Sequence, residues 1–133
     1  MDFFKEAFCV AMEQSLGDTP KECKERLQEG FISSIRITQE GEEFSLYLVI
    51  SSQLLEYFAC SLLMDDTPDK EVLKDISQEL SNLIAGVAKV KASDASRSFQ
   101  MGTPTFICIG LFSQPFKQYC SFEYLGARCT LYW

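Results

Sequence analysis

With 133 residues, 47% of them hydrophobic and 23% charged, the chain has the size and composition of a folded domain with its own core, far from the compositions that leave a chain disordered. A formal net charge of −7 with no long basic run disfavours phosphate backbones and anionic lipid surfaces, so neither a nucleic-acid nor a membrane-surface role is expected. The sequence has no histidine, which excludes Ser-His-Asp and Cys-His nucleophile systems, histidine general bases and most zinc sites.

The opening residues Met1-Asp2-Phe3-Phe4-Lys5-Glu6 lack the basic region, apolar core and small-residue cleavage site of a secretory signal, and the chain reads as cytoplasmic. Phe3, Phe4, Ala7, Phe8, Val10 and Ala11 recur at helical spacing ahead of Gly17-Asp18-Thr19-Pro20, which predicts a first helix from about Met1 to Leu16. Lys21 to Glu29 is highly charged with little apolar content and reads as a solvated connector without a role. Phe31 to Thr38 and Glu43 to Ile50 are rich in β-branched and aromatic residues, and Gly41 between them supplies a hairpin turn. Ser51 or Ser52 then caps a helix whose apolar residues keep a helical period from Leu54 to Met64 and stop at Asp65-Asp66-Thr67-Pro68-Asp69.

The longest predicted helix runs from about Asp69 to Val90, with Val72, Leu73, Ile76, Leu80, Leu83, Ile84 and Val87 in one apolar stripe that packs on a sheet. A polar loop through Ser93 to Ser98 leads to strand-like runs at Thr105 to Phe112, Lys117 to Tyr124 and Ala127 to Trp133, separated by Ser113-Gln114-Pro115 and by Gly126. No apolar stretch approaches the roughly 20 residues of a bilayer span. The six cysteines lie mostly in apolar runs and form no C-x-x-C pair, so buried thiols are expected in place of disulfides. Tyr57 and Phe58 read as core or core-edge aromatics. The order of elements predicts an α+β fold over residues 1–133 as one domain, a mainly antiparallel sheet with long helices packed on it.

Beside the apolar stripe of the long helix, Asp75, Glu79, Asn82 and Gly86 are spaced four, three and four apart and share a second stripe. Asn82 is the only asparagine of the chain and sits mid-helix, where asparagine is a mediocre former. Glu79 offers an anionic hook and Asn82 an amide that both donates and accepts, a pair able to orient a water. Gly86 weakens the helix by about 1 kcal/mol relative to alanine and removes bulk where another surface approaches. A solvated helix boundary that keeps the protein soluble is the competing reading of Asp75 and Glu79.

The run Asp75-x-x-x-Glu79-x-x-Asn82, continuing as Leu83-Ile84-Ala85-Gly86-Val87-Ala88-Lys89 and followed after a loop by Pro104-Thr105-Phe106-Ile107-Cys108-Ile109-Gly110, resembles the signature of the CheC/CheX chemotaxis phosphatases. The order of elements before it fits the same family, and a single Glu-x-x-Asn site, where CheC-type proteins usually carry two, makes the CheX type the nearer match. The interval from Asn82 to Pro104 is slightly shorter than usual for the family, and Lys21 to Glu29 has no counterpart in the pattern.

The resemblance implies a phosphatase that hydrolyses the aspartyl phosphate of a CheY-like receiver and terminates a chemotaxis or two-component signal. It implies no cofactor of the chain's own, because the phosphorylated receiver holds the Mg²⁺ and a lysine that contacts the phosphate. Asn82 would align the attacking water and Glu79 would pair with that lysine, with Asp75 and Gly86 supporting or docking and Pro104 fixing the loop. A homodimer joined through sheet edges is implied as well. The alternative that the family leaves open is a receiver-binding or flagellar-switch-like module of the same fold without catalysis.

Overall fold

The computed structural model describes residues 3–133. The first helix, α1, spans Phe4–Leu16 and stops where Gly17 adopts φ 74° and its N–H closes the last turn on the Glu13 carbonyl at 2.9 Å. The expected start near Met1 lies partly outside the described residues. Lys21–Cys23 forms a short strand β1, and the long hairpin follows as β2 (Glu29–Gln39) and β3 (Glu42–Ile50). Its turn is made by Glu40 and Gly41, both left-handed at φ 50° and 82°, the combination that suits the twist of two paired strands.

Helix α2 (Ser52–Leu63) begins at Ser51, whose hydroxyl accepts the Leu54 N–H at 3.3 Å, and α3 (Lys70–Asp94) begins at Asp69, whose carboxylate accepts the Val72 N–H at 2.9 Å. Four strands complete the chain: β4 (Phe99–Met101), β5 (Thr105–Leu111), β6 (Tyr119–Tyr124) and β7 (Ala127–Tyr132). All pairings are antiparallel, in the order β1-β6-β7-β3-β2, with β4 and β5 both on the far side of β2. The class is α+β, as the order of elements predicts.

Alternation along the strands gives the sheet two unlike faces. Phe31, Ile35 and Ile37 of β2, Leu46, Leu48 and Ile50 of β3, Phe122 of β6 and Leu131 of β7 form one buried layer. All three helices cover it, through Phe4, Phe8 and Met12 of α1, Leu54, Leu55 and Phe58 of α2, and Leu73, Ile76, Leu80 and Ile84 of α3. Phe8 stacks on Phe122 at 4.5 Å between ring centroids. The middle of α3 is fastened to the centre of the sheet where the buried Ser33 hydroxyl of β2 donates to the Ser77 carbonyl at 3.0 Å.

Three expectations need correction. Lys21 to Glu29 is no idle connector: β1 pairs with β6, and the segment after it straps across the second face of the sheet. There Leu27 packs near Ile32, Val49 and Tyr132, its N–H donates to Thr130 Oγ1 at 2.7 Å, and its carbonyl accepts the Tyr132 hydroxyl at 2.6 Å. One apolar residue satisfied on both backbone groups by side chains of β7 gives the segment a place that its composition did not signal.

The long helix continues to Asp94 instead of ending near Val90, because Ala88 and Ala92 are fully buried and Lys91 reaches Glu6 of α1 at 3.4 Å; packing against α1 overrides the weak propensity of Ser93 and Asp94. Residues 99–101, which lie between the expected loop and the next expected strand and carry no sequence assignment, form β4 against the end of β2. The expected buried thiol is found only at Cys129. Cys60 and Cys108 are exposed, and Cys9, Cys23 and Cys120 are half-buried. Phe58 is buried and Tyr57 half-buried, at the core and its edge.

Candidate functional site on the outer stripe of α3

Helix α3 turns its apolar side to the sheet and α1, which leaves one stripe facing outward. Asp75 and Glu79 are exposed on it, and Asn82 and Gly86 are half-buried. The spacing of three and four residues brings successive members to about 5–6 Å between Cβ atoms. No side chain of Asp75, Glu79 or Asn82 makes a hydrogen bond or ion pair with another described residue. A carboxylate and an amide are thus held side by side on a rigid helix with their bonding capacity turned to solvent.

Gly86 has nothing within 4 Å of the position a Cβ would occupy, and its φ is not left-handed. Neither crowding nor backbone conformation inside the chain calls for glycine here, although a helical glycine costs about 1 kcal/mol against alanine. Its lack of side chain leaves a shallow notch one turn beyond Asn82.

Pro104 stands on the connection from β4 to β5, beside the stripe. The Gln78 side-chain amide, one turn before Asn82, donates to the Pro104 carbonyl at 3.0 Å, and the Gly102 N–H donates to the Arg36 carbonyl at 2.9 Å, so the loop is tied both to α3 and to β2. Gln78 escaped the sequence reading because it belongs to neither stripe; its position four residues ahead of Asn82 was the only available signal. Lys74, paired with Glu71 at 3.0 Å, lies 5.7 Å from the Phe106 ring and closes the same flank from below. The five residues singled out in the sequence therefore gather at one surface, with Glu79 and Asn82 at its centre, Asp75 and Gly86 at its two ends and Pro104 at its side. Among the described residues no group of three or more Cys, Asp or Glu is arranged to hold a metal ion. None of the described helices is long and apolar enough to cross a membrane.

Residues 31–119 match the family model described as chemotaxis phosphatase CheX. No curated protein sequence matches the chain. Among solved structures, chemotaxis protein CheX from Vibrio vulnificus superposes with a TM-score of 0.86 at 14% identity, over 99% of this chain and 95% of that one. CheX from Desulfovibrio desulfuricans gives a TM-score of 0.81 at 22% identity, over 98% and 94%. A CheX chain solved in the CheX-CheY-BeF3-Mg²⁺ complex from Borrelia burgdorferi gives 0.73 at 16% identity, over 98% and 93%. At these identities the superpositions show a shared fold.

Proposed function

Since the chain belongs to the CheX chemotaxis phosphatase family, we propose that it is a cytoplasmic phosphatase of a CheY-like receiver, hydrolysing the receiver's aspartyl phosphate through Glu79 and Asn82. The observation that carries this reading is the pair itself: an amide and a carboxylate adjacent on the outer stripe of a rigid helix, neither engaged inside the chain. In-line attack on a phosphoryl group asks a helper protein for a positioned water and a fixed docking register, with little covalent chemistry.

In the proposed complex the Asn82 amide accepts a hydrogen bond from the attacking water and holds it in line, while Glu79 pairs with the receiver's phosphate-contacting lysine. The Mg²⁺ belongs to the receiver, and this chain brings no cofactor of its own. The family relative solved with CheY, BeF3 and Mg²⁺ supports that division of labour, since BeF3 has the shape and charge of a phosphoryl group. Gly86 lets the receiver approach the helix, and the exposed Val90 one turn further offers an apolar contact at the same surface. Asp75 remains solvated at the rim, and Pro104 sets the loop that flanks Asn82.

The dimer is proposed through β5. This edge strand pairs only with β2, and its free side carries Ile107, Ile109 and Leu111 exposed at 41%, 44% and 71%. A bulge at Ile107 interrupts the register of β5 with β2, but an exposed apolar edge strand of this kind is still a template for a second strand, and a two-fold copy of β5 satisfies it.

Phosphate release from a Mg²⁺-loaded, phosphorylated CheY-like receiver tests the reading, with and without this protein and its Asn82→Ala variant. Loss of one positioning group of this kind costs on the order of 10²- to 10³-fold in rate. Acceleration by the protein that disappears in the variant is the expected result. Binding that depends on the phosphorylated receiver without any acceleration replaces the phosphatase by a docking module.

A further inference from the structure

Lys89 is the cation on the outer side of α3. It is exposed and makes no hydrogen bond, ion pair or ring contact with another described residue. Its neighbours on the helix surface, three and four positions away, are Ala85, Gly86, Ala92 and Ser93, so no intrahelical ion pair is open to it. Nor does it serve the helix end: Lys91 is the lysine of the last turn, and attraction to the C-terminal dipole fades beyond that turn. Lys74 and Lys91, by contrast, are held by Glu71 at 3.0 Å and by Glu6 at 3.4 Å. Lys89 stands seven residues beyond Asn82, about 20° short of two full turns and about 10.5 Å along the axis. Between them on that line are Ala85, whose methyl is buried, and Gly86, which has none. A helical side chain leans back toward the N-terminus and covers the turn before its own Cα. The Lys89 ammonium can therefore reach the far edge of the Gly86 notch with no side chain between it and Asn82.

We infer that Lys89 is a positioning residue of the receiver site: it pairs with a carboxylate on the Mg²⁺-bearing side of the phosphorylated receiver and fixes which way round the receiver sits on α3. This rests on the phosphatase reading above. Along the helix the stripe is anionic at Asp75 and Glu79, neutral at Asn82, open at Gly86 and cationic at Lys89, so Asn82 lies between opposite charges. A complementary partner presents a cation to Glu79 and an anion to Lys89, with its phosphoryl group between them over Asn82. The receiver's lysine takes the first place. Its Mg²⁺ is bound through one or two carboxylates together with the phosphate, as is usual for this ion. Lysine and Mg²⁺ repel each other and contact different sides of the phosphoryl group, so a receiver whose lysine meets Glu79 brings its metal-binding acids round to Lys89. The reverse docking sets lysine against Lys89 and carboxylate against Glu79, two like-charge contacts that oppose it. Glu79 alone leaves the receiver free to pivot about one ion pair, whereas opposite charges on either side of Asn82 hold the attacking water in line with the phosphorus.

Affinity for a CheY-like receiver carrying Mg²⁺ and BeF3 tests this without hydrolysis, with the parent and with Lys89→Met, Lys89→Arg and Lys89→Glu variants. Methionine keeps the length and helix propensity of lysine at an exposed position, so the thermal midpoint of Lys89→Met should match the parent's. Lys89→Met is expected to weaken binding at least about tenfold and to flatten its dependence on salt, Lys89→Glu to weaken it further, and Lys89→Arg to stay within about threefold of the parent. In phosphate release from the phosphorylated receiver, the Lys89→Met defect should fall on KM, whereas the Asn82→Ala defect falls on kcat. Parent-like affinity of Lys89→Met, or an equal loss in Lys89→Arg, overturns the inference and leaves the reading of Glu79 and Asn82 standing. A Lys89→Met defect in kcat with KM unchanged overturns it as well, because Lys89 then acts on the phosphoryl group and not on docking. A parent that neither binds nor dephosphorylates the receiver overturns the phosphatase reading, and this inference falls with it.

Discussion

The Gln78 side-chain amide and the Pro104 carbonyl meet at 3.0 Å, and this bond ties the β4–β5 loop to α3 one turn before Asn82. Gln78→Ala should lower the thermal midpoint, in line with the roughly 0.5–1.5 kcal/mol of one hydrogen bond, and reduce receiver dephosphorylation severalfold because the loop flanking Asn82 is released. Asn82→Ala should behave differently, with a far larger loss of rate and an unchanged or slightly raised midpoint, since Asn82 makes no internal bond and alanine is the better helix former. Thermal unfolding and phosphate release on the same samples separate the two effects.

Gly86→Ala should move stability and partner binding in opposite directions. The added methyl meets nothing inside the chain, so the variant gains up to about 1 kcal/mol in denaturant unfolding. The same methyl fills the notch beside Asn82, so affinity for the phosphorylated receiver should fall. A variant that gains stability and keeps full affinity would remove Gly86 from the docking surface.

Ser33 and Ser77 are both fully buried and face the same junction of α3 with β2, yet their hydroxyls differ. Ser33 Oγ donates to the Ser77 carbonyl at 3.0 Å, whereas Ser77 Oγ has no hydrogen-bond partner among the described residues. Ser33→Ala should therefore destabilise by about 1 kcal/mol, and Ser77→Ala should be neutral or stabilising because it removes a desolvated, unsatisfied hydroxyl. Urea unfolding midpoints of the two variants check the asymmetry.

The β5 edge makes the dimer testable by one charge. Ile109 is 44% exposed on that edge, and Ile109→Lys sets two like charges close together across a two-fold strand pair while leaving the core untouched. Light scattering should report a dimer for the parent and a monomer for the variant at micromolar concentration. A monomeric parent would remove the edge pairing.

Thiol reactivity should follow burial. Cys60 and Cys108 are exposed and should be alkylated promptly in the folded protein, whereas Cys129 should react only on unfolding. Burial pushes the Cys129 thiol well above the usual range, with smaller contributions from Cys120 and Cys23. A group whose folded-state value is raised contributes stability that is complete below its unfolded value and lost as pH rises past it. Stability should therefore decline above the ordinary thiol range, and a Cys129→Ala variant should show a shallower alkaline decline. Unfolding midpoints between neutral and alkaline pH measure both slopes.

Much of the candidate site was legible because it is local. The spacing of Asp75, Glu79, Asn82 and Gly86 is a property of one helix, and a 3.6-residue period puts them on one stripe whatever surrounds the helix. The β2–β3 hairpin was legible for a similar reason, since Gly41 and two runs of β-branched residues specify a turn and its flanking strands. What escaped were features that exist only between distant segments. Leu27 is a single apolar residue in a charged stretch, and its place on the second face depends on Thr130 and Tyr132, more than a hundred positions later. The last turns of α3 formed against the weak propensity of Ser93 and Asp94, through α1, and the short β4 is defined by its pairing with the end of β2.

The sequence by itself determined the α+β class, the absence of histidine chemistry, the family signature and the helix stripe that bears it, because composition and periodicity act within a few residues of one another. Only the tertiary structure decided that the Pro104 loop is bound to that stripe through Gln78, that β5 is an open edge, and that Leu27 seals the second face of the sheet. Pairing partners and sheet edges are set by which distant segments satisfy one another's backbone groups, and no local pattern records that choice.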